Sequence, residues 1–333
     1  MAKPFRLVLT DYIRDDLAIE QSVLGDIAEI EALDAYNEDQ LAGRIDDAHA
    51  LMVFHNVSLT HVSIDRLKCC KVIARVGVGF DNVDLRAARA KQIDVTNVPD
   101  YGTEEVADSA IGMMLALTRG ITRMDLRLRT ASGIWDYQHG APLYRLRGRT
   151  FGIIGLGRIG KATALRAKAL GMDVAFYDPL IEDGYDKSLG VRRVETLEEL
   201  CKQSYVLSIH CPRTPETQFM INAETLKWLP RGSYLVNTAR GAIVDTSALP
   251  AALESGHLAG VALDVLPVEP PAPDDRLLAI WHDLAHPCSG RLIINPHSAF
   301  YCEEGLKEMR QKAARCCRRV LLGQKERNVV NRE

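Results

Sequence analysis

Gly155-Leu156-Gly157-Arg158-Ile159-Gly160 stands directly after an apolar run at residues 151–154 and directly before a helical pattern at residues 159–170. In a strand–turn–helix setting the three glycines have separate uses: a tight turn, close backbone approach to a diphosphate at the helix N-terminus, and helix–strand contact. A glycine triplet alone is a weak signal, but its flanking elements and a following acid strengthen it. That acid belongs roughly 20 residues on, at the end of the second strand, and Asp178 closes the run at 173–177. Its carboxylate suits the ribose hydroxyls and repels a 2′-phosphate, which predicts NAD as cofactor rather than NADP.

Three later motifs add reactive groups. Asn237-Thr238-Ala239-Arg240-Gly241 follows one strand-like run, Asp264-Val265 with Glu269-Pro270 follows the next, and Pro296-His297 follows the last. All three lie at strand carboxyl ends, where open α/β sheets bind ligands. Hydride transfer between a nicotinamide and a carbonyl needs a proton donor for the emerging alkoxide, and His297 has the side chain suited to it near neutral pH. Glu269 is the carboxylate that could hold its imidazole in one tautomer. Arg240 could bind a substrate carboxylate and polarise the neighbouring carbonyl. Taken singly, Arg240 also reads as a salt-bridge arginine, and His297 as a cap on the last helix.

The elements that must position these groups alternate in type. Strands at 6–10, 51–54, 72–76 and 95–97, with helical patches at 13–24 and 83–90, read as βαβ units on a parallel sheet. A connector helix is predicted over 103–132, with Val106, Ala110, Met113, Leu117 and Ile121 on one face. A second alternation, with strands at 151–154, 173–177, 205–209, 234–236, 260–263 and 292–294, fits a doubly wound nucleotide domain. The closing helix, 303–322, sets Leu306, Met309, Ala313, Cys316 and Val320 on a packing face. Arg310, Lys312, Arg315, Arg318 and Arg319 read as its solvated face.

Composition bounds the rest. Lysine and arginine number 41 against 44 aspartates and glutamates, a net charge of −3, so neither nucleic acid nor an anionic membrane is an expected partner. At roughly 150 residues per domain, 333 residues predict two domains. The longest stretch without Asp, Glu, Lys or Arg, 48–64, is interrupted by His55, Asn56, Ser58, Thr60 and His61, so no membrane helix is expected. No signal-like N-terminus is read, and the expected compartment is the cytoplasm. The eight cysteines read as reduced thiols, and Cys211 has no paired base in sequence reach. His282-Asp283-Leu284-Ala285-His286 has the spacing of a zinc helix but Asp in place of the base Glu, with Pro287 next, so no metal is expected. Residues 272–291 read as a long loop beside the active site or at a subunit contact.

Together these segments resemble the D-isomer-specific 2-hydroxyacid dehydrogenase family over nearly the whole chain. The resemblance implies Arg240, Glu269 and His297 as the catalytic set, and NAD-dependent interconversion of a 2-oxo acid and its (R)-2-hydroxy acid. It makes Arg75-Val76-Gly77-Val78-Gly79-Phe80-Asp81-Asn82 the substrate loop, with Arg75 and the N–H groups of Val78 and Gly79 at the substrate carboxylate. It implies cofactor contacts at Gly155, Gly157, Arg158, Ile159, Gly160 and Asp178, and also at Thr103, Cys211, Pro212, Thr217, Thr238, Ala239 and Asp264. Asp264 would face the nicotinamide amide.

Within the family, residues 76–82, 97–99, 104–109 and 176–179 are most similar to the C-terminal-binding-protein branch, whose animal members are transcriptional corepressors. That branch has Trp in the substrate pocket where this sequence has Phe300, which implies a differently shaped pocket. The animal corepressors also continue into a long tail, whereas this sequence ends at Glu333, so a dehydrogenase is expected ahead of the alternative, an NAD(H)-sensing, corepressor-like binding protein. The implied fold is two doubly wound parallel-sheet α/β domains. A Rossmann NAD domain, 103–296, is inserted into a smaller flavodoxin-like substrate domain, 1–102 plus 297–333, with the active site between them. A homodimer paired through the connector helix is expected, with positive charge concentrated at Arg240, Arg75 and the 155–160 turn.

Overall fold

Short runs of buried aliphatic residues build two all-parallel sheets, each confined to one of two units. The computed structural model describes residues 3–130 and 135–332. Its first unit comprises Met1–Gly102 with Tyr301–Glu333, and its second is Thr103–Phe300. His297 to Phe300, assigned from sequence to the first domain, thus lie in the second unit.

The first unit holds β1 (Phe5–Leu9), β2 (Ala28–Ala32), β3 (Ala50–Val53), β4 (Val72–Arg75) and β5 (Asp94–Thr96), in the order β2-β1-β3-β4-β5. This is the flavodoxin-like order. The central strands β3 and β4 are buried along their whole length, as strands covered on both faces must be. β2, with sequence AEIEA, buries only Ala28, so it forms the half-exposed sheet edge. The closing helix, Glu303–Leu321, packs on β3, β4 and the helix Ala18–Leu24.

That closing helix departs from the sequence reading. Arg310, placed there on the solvated face, is 2% exposed. Its Nε and Nη2 donate to the two oxygens of the fully buried Glu20, each at 2.7 Å, and Nη2 also donates to Asp15 at 2.9 Å. The two-residue step between Arg310 and Lys312 rotates them to different sides of the helix. Arg310 shares the buried side with Met309, Ala313 and Ala314, while Arg315 stays exposed. Arg318 pairs at the surface with Asp26, whereas Arg319 reaches the buried carboxylate of Glu326.

The second unit holds β6 (Thr150–Ile154), β7 (Asp173–Tyr177), β8 (Arg192–Arg193), β9 (Val206–Ile209), β10 (Ser233–Asn237), β11 (Leu258–Leu263) and β12 (Leu292–Ile294), ordered β12-β11-β10-β9-β6-β7-β8. Strands β8-β7-β6-β9-β10-β11 reproduce the 3-2-1-4-5-6 order of a dinucleotide fold, with β12 added at the edge. Two buried clusters fill its two faces. One centres on Leu207, Leu235, Leu263 and Leu292, and the other on Phe151, Phe176, Val236 and Met114. The order reverses between β6 and β9, the crevice where such sheets take ligands.

The long connector is two helices, Thr103–Thr118 and Ile121–Thr130. Gly120, at φ +66°, breaks it in a conformation that costs other residues energy. Residues 131 and 132 of the expected helix lie outside the described residues. Residues 272–291 are not a plain loop either: Asp275 caps the helix Arg276–His282 by accepting from the N–H groups of Leu277 and Leu278. His282 is that helix's last residue and His286 lies in the turn beyond, so the pair does not share a helical face.

Removing the guanidinium of Arg310 would leave Glu20 buried without its charge partner. Arg310→Ala is expected to lower the unfolding free energy by about 3–5 kcal/mol in urea titrations, and adding Glu20→Leu should restore much of the loss. A change below about 1 kcal/mol in the single variant would show that the buried pair is not holding the closing helix.

Candidate active site

At the end of β6 the chain turns through Gly155, at φ +88°. A Cβ there would stand 2.7 Å from the amide nitrogen of Cys211, and one on Gly160 would stand 2.1 Å from the Gly155 carbonyl oxygen. Both positions therefore admit only hydrogen. Gly157 differs: nothing lies within 4 Å of an added Cβ, so its backbone faces open space at the N-terminus of the helix Arg158–Ala169. An approaching diphosphate needs that space and that helix end. Arg158 and Ile159 form the first turn of the helix.

Asp178 follows β7 directly. One carboxylate oxygen accepts the Leu156 N–H at 2.8 Å and the other accepts the Leu180 N–H at 2.9 Å. The acid therefore ties the glycine turn to the end of the second strand. Across the crevice, His210 and Cys211 follow β9 directly. Burial pushes the Cys211 thiol up to about 12, far from the thiolate that nucleophilic chemistry needs. The 212–217 loop is closed by Thr217, whose hydroxyl donates to the Pro212 carbonyl at 2.8 Å and accepts the Thr214 N–H at 2.7 Å.

The loop after β10 is folded by Asn237. Its side chain accepts the Ala239 N–H at 3.0 Å and donates to the Arg240 carbonyl at 2.9 Å. Thr238 Oγ1 is buried and meets no hydrogen-bond partner among the described residues. At Gly241 a Cβ would fall 1.9 Å from the Leu266 carbonyl carbon, so only glycine lets the Arg240 loop press against the loop that carries Glu269. In that second loop Glu269 is braced by the Leu266 N–H, which donates to Oε1 at 2.8 Å. Its other oxygen, Oε2, lies 2.8 Å from Nδ1 of His297. An ionised carboxylate can only accept, so Nδ1 carries the proton and Nε2 is left to give or take one.

His297 itself sits at φ +52°, unusual for a residue with a Cβ. Asp264 imposes it. The Asp264 carbonyl accepts the His297 N–H at 2.7 Å, and its carboxylate oxygens accept the N–H groups of Ser298 and Ala299 at 2.9 and 3.0 Å. Asp264 is 1% exposed. Burial raises its pKa, the largest influence, and those two N–H groups and His297 oppose the rise. Beyond the turn, Phe300 meets the His297 ring edge to face at 6.3 Å.

The second unit thus gathers Arg240, Glu269, His297 and Phe300 with the glycine turn, Asp178, Cys211, Thr238, Ala239 and Asp264 around the carboxyl ends of β6, β7 and β9–β12. Thr103 opens the first helix of the same unit. Asp264, expected at the cofactor's amide, has its carboxylate engaged with the histidine turn. Sequence reasoning gave no role to three residues. Asn237 folds the Arg240 loop, and Gly241 allows its close approach. The third is His210, whose Nε2 lies 2.8 Å from the Ser208 hydroxyl and whose pKa burial lowers to about 3, which keeps it neutral. A glycine directly after a functional arginine was the one available signal; the rest depends on contacts between distant strands.

In the first unit, residues 75–82 form a loop at the end of β4. Gly77 has φ +148°, and a Cβ there would strike the guanidinium of Arg75. Asn97 donates to the Val78 carbonyl at 2.7 Å, and Asn82 donates to the carbonyls of Phe54 and Val57, each at 2.8 Å. The loop is thereby anchored through the Val78 carbonyl and the Asn82 side chain, while the amides of Val78 and Gly79 donate to no backbone carbonyl among the described residues. Arg75 is 7% exposed and donates to the Val76 carbonyl at 3.0 Å.

A dinucleotide-type sheet whose carboxyl edge presents a carboxylate-held histidine defines a class of oxidoreductase-like folds, and comparison makes the class specific. Residues 111–299 match the family model for the D-isomer specific 2-hydroxyacid dehydrogenase, NAD binding domain. The chain belongs to the D-isomer specific 2-hydroxyacid dehydrogenase family. It is 36% identical over 328 residues to D-3-phosphoglycerate dehydrogenase of Methanocaldococcus jannaschii, a match covering 98% of this chain and 59% of that protein. It is 33% identical over 315 residues to C-terminal-binding protein 1 of Caenorhabditis elegans, covering 92% of this chain and 42% of that one. The chain thus spans about half the length of these two relatives. Among solved structures, the D-lactate dehydrogenase of Aquifex aeolicus, complexed with NAD and lactic acid, superposes with a TM-score of 0.85 at 31% identity, covering 98% of this chain and 99% of that one. The residues here fit such a dinucleotide: the space at Gly157 and the partnerless hydroxyl of Thr238 are what a bound NAD would fill and satisfy.

Asp264 offers a direct structural test. Asp264→Ala should strip the Ser298 and Ala299 amides of their acceptors and destabilise the turn by about 1–3 kcal/mol, read as faster hydrogen exchange at residues 297–300. Unchanged exchange there would show that another contact holds the histidine.

Proposed function

We propose that the protein interconverts a 2-oxo acid and its (R)-2-hydroxy acid with NAD as redox partner. The observation that carries this reading is the 2.8 Å pair between His297 Nδ1 and Glu269 Oε2, on a sheet edge that also presents Arg240 and the glycine turn. When bound, NADH supplies the hydride. In the direction of reduction His297 gives its Nε2 proton to the oxygen of the former carbonyl, and in oxidation Nε2 takes it back. Glu269 keeps the ring in the tautomer that leaves Nε2 facing the reaction and stabilises the imidazolium when it forms. Arg240 binds the substrate carboxylate and polarises the carbonyl, as a guanidinium fork can. The amides of Val78 and Gly79, with Arg75, supply further carboxylate donors from the first unit. Asp178 favours NAD by repelling a 2′-phosphate, and Phe300 shapes the space beside His297.

The same reading makes the protein a cytoplasmic homodimer. Apolar side chains on and after the helix Ile121–Thr130 support pairing there: Ile121 and Leu128 are exposed, and Trp135 is 87% exposed, more than isolated surface residues need.

The test is NADH oxidation followed at 340 nm with glyoxylate, pyruvate, hydroxypyruvate and bulkier 2-oxo acids. We expect turnover with at least one. His297→Ala should then lose about 10²–10⁴ in kcat while still binding NADH. Near-normal turnover in that variant would overturn the assignment. Tight NADH binding with no turnover on any 2-oxo acid would favour a cofactor-responsive binding protein, the reading suggested by the likeness to C-terminal-binding protein 1.

A further inference from the structure

The second unit carries a cavity at the edge of the sheet opposite the glycine turn. The cavity measures about 870 Å³, and its wall includes Thr150, Ser233 and Tyr234, at the amino ends of β6 and β10. The five residues of β10 put that wall roughly 13 Å from the Arg240 loop, so the cavity is separate from the nucleotide crevice.

Its polar wall has one sign. Arg123, Arg149, Arg231 and Arg291 line it, and no aspartate or glutamate does. Among the described residues none of the four is ion-paired with a carboxylate. This is not the bias of the whole chain, which is slightly acidic, and it is not where positive charge is expected from sequence. The protein's own acceptors use only part of the donor capacity. Arg123 donates to the Gly140 carbonyl, Arg231 to Ser255, Arg149 to Arg145 at 3.0 Å, and Arg291 to Leu253 at 3.0 Å. A guanidinium has five N–H groups, and carbonyls at helix ends offer partial charge only.

One buried cationic atom of the wall lacks a partner: Arg123 Nε meets no hydrogen-bond acceptor among the described residues. Leaving a buried donor unsatisfied is costly, more so when the group is charged. Burial, the largest influence, lowers the Arg123 pKa; Tyr234 opposes the shift and Arg291 adds to it. Arg149 is held in place by stacking, its guanidinium 4.7 Å from the Tyr144 ring centre and 4.3 Å from that of Tyr205.

We propose that this cavity is a second ligand site, for an anion bearing two or more linked phosphoryl groups. Four guanidiniums around one cavity match a ligand of three or four negative charges, and a phosphate chain carries that charge compactly while suiting the guanidinium fork. The cavity volume lies in the range of small-molecule sites. It has room for the phosphates alone or with a nucleoside attached.

The experiment is isothermal titration calorimetry on the full chain with sodium tripolyphosphate, ATP and sulfate at matched ionic strength, each with and without saturating NADH. Tripolyphosphate is expected to bind once per chain, at least tenfold more tightly than sulfate, and equally well with NADH present. ATP binding more tightly than tripolyphosphate assigns the nucleoside to the ligand; equal binding assigns the phosphates alone. Arg149→Gln with Arg231→Gln should weaken tripolyphosphate at least tenfold and leave NADH affinity unchanged. Arg231→Gln alone, at an exposed position, should weaken it about threefold and guards against misfolding of the double variant. Binding that vanishes with NADH belongs to the glycine turn and overturns the proposal, as does undiminished binding in the correctly folded variants.

Discussion

The buried carboxylate of Asp264 is the constraint on which the candidate site depends. Three consecutive backbone N–H groups, those of His297, Ser298 and Ala299, end on this one residue. They bend the chain after β12 into a left-handed turn that few side chains adopt without support. The turn aims the imidazole at Glu269, and the Leu266 amide braces Glu269 from the other side. A charged group is buried here at an energetic cost, partly offset by the two N–H groups its oxygens accept. The result is a histidine whose orientation is set by backbone geometry as well as by its carboxylate partner.

Close approach does the remaining positioning. Gly155 and Gly160 let β6, the following helix and the Cys211 backbone converge, and Gly241 does the same for the Arg240 and Leu266 loops. A methyl group at any of these would push apart the loops that carry Arg240, Glu269 and the glycine turn. Gly157 is the exception that marks the ligand, because its open space is not filled by the protein.

Elements whose signal is local were legible in the sequence. The strand–glycine–helix turn, Asp178, and the three loops at strand carboxyl ends could be read from types and spacing alone. β2 and β8 were missed. The alternating acids of AEIEA hide a half-exposed edge strand, and β8 is two arginines long, too short for periodicity to register. The break at Gly120 was hidden by a continuous apolar spacing from Val106 to Ile121. Arg310 was misplaced because its partners, Glu20 and Asp15, are about 290 residues away in sequence, and a helical wheel cannot tell a paired buried arginine from a solvated one. The arginine cavity was invisible for the same reason: its four cations come from segments scattered between residues 123 and 291.

The central claim is that a histidine held and electrostatically supported by Glu269 moves the proton. Its most direct test is steady-state kinetics of Glu269→Gln on whichever 2-oxo acid the wild-type protein turns over. The amide oxygen can still accept from His297 Nδ1, so geometry is kept while the negative charge is removed. The account predicts a fall in kcat of about 10²-fold or more with little change in KM for the 2-oxo acid. A variant with wild-type kcat, or one altered only in KM, would contradict it.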